Sequence, residues 1–286
     1  MQLRRLGDAT VGAIGLGAMP MSFQVRPERA QSISTIHAAL DEGVTLIDTA
    51  DAYTPDDRPP GHNEELVAEA LAAYGRGADD VMVATKGGHT RDGAEWNLNG
   101  RPDYLRKACE ASLRRLRVEA IGLYQHHRPD PAVPYEDTIG ALKGLLEAGL
   151  VVRAGISNAD VDQIGIAAQI LGAGLVAVQN EFSPKFRSSE TELALCAELG
   201  MAFLPWSPLG GSSSAKELGS AYRPFAEVGK RHDVSPQRVC LAWMLAKSPV
   251  IIPIPGASRP ATIRDSAAAT NLELSAEEID ELDATR

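Results

Sequence analysis

The sequence predicts an α/β protein folded as a single (β/α)8 barrel of the TIM type. Three observations carry this. Short β-rich runs alternate with longer amphipathic segments from residue 11 onward; the runs number eight; and no shift in composition marks a domain boundary across residues 1–286. Length alone would also allow two small domains, so the alternation decides.

The elements follow in order. LRRLG and TVGAI predict a short hairpin at 2–11 that closes the bottom of the barrel, and VGAIGLG (11–17) is the first barrel strand. Gly15 and Gly17 do not make a dinucleotide-binding turn, since no helix follows at once and the third glycine is missing; a doubly wound sheet therefore ranks second. A helix over 28–42 starts after Pro27 and stops at Gly43, where a left-handed position past the last turn favours glycine. VTLID (44–48) precedes a helix over 63–74, and DVMVATK (80–86) precedes one over 103–116 that opens on Pro102 and Asp103. IGLYQHH (121–127) leads to 136–149, ended by Gly149; VRAGIS (152–157) leads to 160–171; LVAVQN (175–180) leads to 189–199, ended by Gly200. MAFLPW (201–206) is followed by a Gly- and Ser-rich stretch and a helix over 236–247. VIIPIP (250–255) precedes a last pair near 260–268 and 276–284, with Ser275 and Glu278 in capping-box spacing.

Composition bounds the partners. With 44% apolar and 23% charged residues the chain has enough apolar surface for a sizeable core. A net charge of −10 argues against nucleic acid or an anionic membrane surface, both of which reward excess Lys and Arg. An anionic ligand must then be held by a local cluster or by backbone N–H groups. Arg4 and Arg5 before VGAIGLGAMPM loosely imitate a signal peptide, but Asp8 and glycines 7, 12, 15 and 17 interrupt the apolar helix such a segment needs. No run reaches the length of a membrane span. Cys109, Cys196 and Cys240 lie far apart without metal-like spacing and read as reduced thiols. The expectation is a cytoplasmic protein whose last helix ends the chain with no long C-terminal loop over the site.

In a barrel the site lies where the strands end. There the sequence places Asp48 and Tyr53 after strand two, Lys86 ending strand three, His127 ending strand four, and Ser157 and Asn158 after strand five. Strands six to eight add Gln179 and Asn180, Trp206, and the turn GASR (256–259). A tyrosine is a poor proton donor at neutral pH unless something stabilises its phenolate, and an ammonium does this. Lys86 needs a carboxylate to stay charged when desolvated, and Asp48 can supply it. A histidine beside the phenol can polarise a carbonyl oxygen or relay the proton. Each residue alone is explained as readily by a structural role: a loop cap, a surface aromatic, a solvated lysine, a core histidine. Their convergence on one rim favours a device that protonates a carbonyl oxygen as a hydride reaches its carbon.

The motifs LIDTADAY (46–53), GHNEELVAEAL (61–71), VATK (83–86), LYQHHRPDP (123–131), GISN (155–158), VQNEFS (178–183), WSPLGG (206–211) and IPGASRP (254–260) resemble those of the aldo-keto reductases. The resemblance spans nearly the whole chain, in order. It implies a barrel that binds NADP(H), or NAD(H), without a Rossmann domain and reduces aldehydes or ketones. By motif, Tyr53 would be the general acid, Lys86 and Asp48 the pair that lowers its pKa, and His127 the fourth member of the tetrad. Ser157, Asn158 and Gln179 would hold the carboxamide of the nicotinamide. Trp206 stands where the family usually stacks a tyrosine on the ring. Ser207, Leu209 and Gly210, with the SSSAKELGS that follows, would approach the pyrophosphate.

At the adenosine end the family often has a basic residue at Gly256 and an arginine at Thr262; neither is present. Ser258 and Arg259 are then the residues for the 2′-phosphate, and Asp265 with Ser266 would face the adenine. The segment 87–103 is the longest insertion at the rim, and its Trp96, with Phe23 or Met21, would wall the substrate pocket.

Two other functions fit parts of this pattern. A nicotinamide-binding redox sensor would need the cofactor residues but no tetrad. A lyase using Lys86 as a Schiff-base nucleophile leaves Tyr53 and the IPGASR turn without work. Because side chains alternate along a strand, His127 at the mouth sends His126 outward, where packing and a hydrogen bond to a neighbour would account for it.

Overall fold

The computed structural model describes residues 1–23, 25–211 and 214–285. The chain opens with an antiparallel hairpin, β1 (Leu3–Leu6) and β2 (Ala9–Gly12), turning at Gly7 with φ 64°. Leu6 and Val11 enter the cluster of Leu46, Ala84, Leu123, Ala177, Leu204 and Ile252 that fills the barrel, so the hairpin plugs its lower end. A Cβ at Gly7 would sit 2.5 Å from Val176 Cγ1, too close for any other residue.

Seven parallel strands then pair in chain order: β3 (Leu16–Gly17), β4 (Leu46–Asp48), β5 (Met82–Gly87), β8 (Leu123–His126), β9 (Ala154–Ser157), β10 (Leu175–Gln179) and β11 (Ala202–Phe203). A small antiparallel hairpin, β6 (His89–Asp92) and β7 (Glu95–Leu98), is inserted after β5. The expected first strand at 11–17 is thus two elements: residues 9–12 pair with β1, whereas Leu16 and Gly17 pair with β4. One straight strand cannot serve both partners.

Residues 250–256 take the eighth place and close the ring. On one side Phe203 N–H donates to Val250 O (2.8 Å) and Ile252 N–H to Phe203 O (2.9 Å). On the other, Gly15 N–H donates to Pro253 O (2.9 Å) and Gly17 N–H to Pro255 O (3.0 Å). Pro253 and Pro255 have no N–H to return, so this seam is stitched by single bonds rather than a full ladder. Gly17 is obligatory here, because a Cβ would lie 2.8 Å from Ile254 O.

Six helices cover the first strands: α1 (Arg29–Asp41), α2 (His62–Tyr74), α3 (Pro102–Leu116), α4 (Tyr135–Glu147), α5 (Val161–Leu171) and α6 (Glu190–Leu199). Gly43, Gly149 and Gly200 follow three of them at φ 82°, 70° and 70°, as helix-stop glycines should. The stretch after β11 holds two helices not anticipated, α7 (Leu218–Ala221) and α8 (Arg223–His232), the latter burying Phe225, Val228 and Gly229. Then come α9 (Pro236–Lys247), α10 (Pro260–Ala267) and α11 (Ala276–Asp283), whose capping box Ser275–Glu278 is formed. Phe182 stacks on Trp243 at 5.8 Å in the outer core between strands and helices. Among the described residues no helix is long and apolar enough to cross a membrane.

Candidate active site

Side chains from the ends of four strands meet at one buried ion pair. Asp48 ends β4 and Lys86 lies at the end of β5; Lys86 Nζ donates to Asp48 Oδ1 (2.6 Å), to Thr49 O (2.9 Å) and to the Tyr53 hydroxyl (3.2 Å). The second carboxylate oxygen accepts from Gln179 Nε2 (2.8 Å) and Gln125 Nε2 (3.4 Å). Gly155 makes room for Gln125, since a Cβ there would stand 2.9 Å from Gln125 Cγ. The lysine is fully buried, which favours its neutral form, but Asp48 and Tyr53 outweigh burial and raise its pKa. All three of its N–H groups have partners, and it would have to give up a proton before it could act as a Schiff-base nucleophile.

Tyr53 departs from expectation. Burial pushes its hydroxyl above the ordinary phenol range, and the Lys86 ammonium offsets this only in part. The sequence shows the neighbouring charge but not that the ring is enclosed. The resting group is a protonated phenol, with the ammonium placed to stabilise the phenolate once the proton leaves.

The loop carrying Tyr53 is held from α2. Asn63 N–H donates to Tyr53 O (3.1 Å), and the Asn63 amide bonds Thr49, Ala18 O and Ser22. Glu64 accepts from Thr85 Oγ1 (2.6 Å) and from Arg115 of α3 (2.8 Å). This is the work of the GHNEE block: it fixes the loop from behind. Asp51 sits buried beside the same group, and burial together with Glu64 raises its carboxyl well above the carboxylate range.

His127 presents its ring edge-on to Tyr53, with centroids 5.6 Å apart. Burial, then Lys86 and the neighbouring histidines, hold it well below its ordinary pKa, so it is a neutral imidazole. His126 faces away, its ring 6.1 Å from that of Tyr135. It is fully buried and, contrary to the expected hydrogen bond, neither ring nitrogen has a partner.

The sequence reading did not single out His89. Its ring lies 4.4 Å from His127, closer than any other aromatic contact of that residue. Trp96 packs edge-on to His89 at 5.2 Å, and Phe23 lies 5.9 Å from Trp96 and 6.1 Å from Tyr53. Met21, the alternative wall residue, is buried in the core under α1 instead. The signal was present: in RDGAEW the two residues Gly93-Ala94 make the hairpin turn between paired Asp92 and Glu95, and Gly93 takes φ 56°.

A cavity of about 320 Å³ adjoins several of these groups and part of the predicted cofactor set. Its walls include Tyr53, His89, Trp96, His127, Asn158 and Gln179, together with Trp206, Ser207, Leu209 and Gly256. Ser157 Oγ donates to Gln179 O (2.8 Å), and Asn158 Nδ2 donates to His127 O (3.0 Å), while Arg128 donates to Asn158 Oδ1 (3.0 Å). Asn158 and Ser207, on the cavity wall, hold left-handed φ of 57° and 48°, uncommon for non-glycine residues. Gly210 turns at φ 82° with its N–H on Ser207 O (2.8 Å). Ser212 and Ser213 of the predicted pyrophosphate loop lie outside the described residues.

Past Gly256 the residues differ in their freedom. Arg259 caps the N-terminus of α10, is exposed, and makes no ion pair among the described residues. Ser258 O accepts from Gln31 Nε2 (2.8 Å). Asp265, expected at the adenine, has protein partners: its carboxylate accepts from Arg238 (2.7 Å) and from Ser235 Oγ (2.5 Å).

Comparison with known proteins gives the family. The model of the aldo/keto reductase family matches residues 13–286. An uncharacterized oxidoreductase of Schizosaccharomyces pombe is 35% identical, covering 98% of this chain and 88% of its own. Among solved structures, a glycerol dehydrogenase from Gluconobacter oxydans superposes with a TM-score of 0.84 at 26% identity, over 98% of this chain and 94% of that one. An aldo/keto reductase from Klebsiella pneumoniae, crystallised with NADP and acetate, gives 0.82 at 25% identity, over 98% and 94%. With the barrel, the buried Asp48–Lys86–Tyr53 cluster and a family match over nearly its full length, this chain belongs to the aldo/keto reductase family.

Proposed function

We propose that the protein is an NADP(H)-dependent reductase of aldehydes or ketones in which Tyr53 gives its proton to the carbonyl oxygen. The single observation that carries this reading is the Tyr53 hydroxyl 3.2 Å from a fully buried, carboxylate-paired lysine on the wall of an open cavity. Against the burial that holds the proton on, the Lys86 ammonium is the charge that stabilises a phenolate forming there, with Asp48 opposing it, so the proton leaves only as the reacting oxygen takes it. Asp48 keeps Lys86 charged, and the Gln125 and Gln179 amides hold Asp48 in turn. His127, neutral and beside the phenol, orients the carbonyl oxygen through an N–H.

The cavity suits a nicotinamide cofactor. Trp206 offers a ring face and a buried indole N–H without a partner, and Asn158 and Gln179 bring amides to the same wall. Bound there, the cofactor supplies the hydride that the carbonyl carbon receives. Arg259 at the start of α10 is the cation free to meet a 2′-phosphate, where the helix N-terminus also favours an anion. The NADP of the Klebsiella structure supports the same choice. Asp265, already paired with Arg238, would shape the adenosine end indirectly through that arginine.

The test is multiple-turnover oxidation of NADPH with a nitrobenzaldehyde. Steady turnover is expected. Tight NADPH binding with no turnover would favour a redox-sensing module, and borohydride trapping of a substrate adduct on Lys86 would favour a lyase.

A further inference from the structure

We propose that His89 is a second substrate-directed hydrogen-bond donor beside His127, so that the enzyme prefers carbonyl compounds bearing an oxygen on the carbon next to the reacting one. The inference rests on the reductase reading above and adds a specificity determinant to it.

The placement of His89 is built into the backbone. Gly87 ends β5, and Gly88 turns the chain at φ 110°, a conformation other residues resist. A Cβ at Gly88 would also meet His126 Cδ2 at 2.9 Å. The turn lifts the chain off the strand and sets His89 over the end of β8, its ring 4.4 Å from that of His127. Asn99 N–H closes the base of the β6–β7 hairpin on Gly88 O (2.9 Å), and Tyr104 donates to His89 O (3.4 Å). Across the hairpin Arg91 lies over Trp96 at 4.5 Å and ties to Asp56 (2.6 Å), so the wall behind His89 is braced.

The ring chemistry gives this placement a direction. Both imidazoles line the cavity, and in both Nδ1 is buried without a partner. A buried N–H left unpaired costs more than a buried lone pair, so the proton belongs on Nε2, the nitrogen left to face the cavity. Burial also holds His89 at about pKa 4 and His127 well below its ordinary value, so both stay neutral at working pH and each offers one N–H. His127 is committed to the reacting oxygen. The neighbouring donor has no protein acceptor, and a carbonyl substrate with a second oxygen on the adjacent carbon supplies one. An α-hydroxy ketone or α-diketone satisfies both rings, whereas a plain ketone leaves the second N–H unpaired against apolar walls.

A matched pair of ketones isolates the effect: hydroxyacetone and 2-butanone differ only in OH against CH3 beside the carbonyl. With the full-length enzyme and NADPH, the ratio of kcat/KM for the two is measured in wild type, His89→Phe and His89→Asn. Phe keeps a ring in the wall without a donor, and Asn restores an N–H. The ratio should favour hydroxyacetone in wild type, fall at least tenfold in His89→Phe and recover in part in His89→Asn. Any loss of folded enzyme cancels in the ratio. A ratio unchanged in His89→Phe, or a wild type that reduces a nitrobenzaldehyde but favours 2-butanone, overturns the proposal while leaving the reductase reading standing. A wild type that reduces no carbonyl at all removes the reductase reading itself.

Discussion

Replacing His126 with leucine should flatten the acid side of the stability profile. The ring is fully buried, both nitrogens lack partners, and burial, then His89, brings its pKa down to about 4. In the unfolded chain it returns to about 6.5. Between these values the unfolded state binds a proton that the native state refuses, so stability is complete above the unfolded pKa and is lost as pH falls below it. A single group with those two values costs about 2 kcal/mol on going from pH 7 to pH 5. Leucine has similar bulk, removes the titration and removes two unsatisfied nitrogens, so the variant should be no less stable at pH 7. Urea unfolding of both proteins at pH 7 and pH 5 measures this, because the other histidines contribute alike to both and drop out of the difference. The variant should lose about 2 kcal/mol less than wild type and keep its turnover. Equal losses in the two proteins would show that His126 is solvated or hydrogen-bonded and would refute the reasoning.

Two further substitutions probe the ion pair and the cofactor's far end. Lys86→Met leaves Asp48 buried with only amide partners; it should abolish turnover and cost about 3–5 kcal/mol in urea unfolding, and a loss below about 1 kcal/mol would mean that the ion pair is not what holds this cluster together. Arg259→Ala should weaken NADPH at least tenfold in a fluorescence titration while changing NADH less than about twofold, and equal effects on the two would remove Arg259 from the 2′-phosphate.

Much of the site was legible because strand ends in a barrel converge. Asp48, Lys86, His127, Ser157 and Gln179 stand at or just past strand ends in the sequence, and the parallel pairing of β4, β5, β8, β9 and β10 brings them to one rim. What escaped depended on contacts between distant segments or on degree of burial. Arg238 reaches Asp265 across the gap between α9 and α10, and nothing local to either residue announces the pair. His89 lies in a hairpin beyond its strand, where the Gly88 turn decides where the ring goes. Tyr53 has its hydroxyl pushed up rather than down because enclosure of the ring outweighs one adjacent ammonium. The eighth strand was read from its apolar run, but its alternate prolines leave it only half-bonded to β3.

The central claim is that Tyr53 is the proton donor, held for that task by Lys86 and Asp48. Steady-state reduction of a nitrobenzaldehyde by Tyr53→Phe, alongside NADPH binding to the same variant, tests it most directly. The account predicts a fall in kcat of at least about a hundredfold with NADPH affinity nearly unchanged, since the substitution removes one hydroxyl and leaves the ring in place. A variant that turns over at the wild-type rate would contradict it.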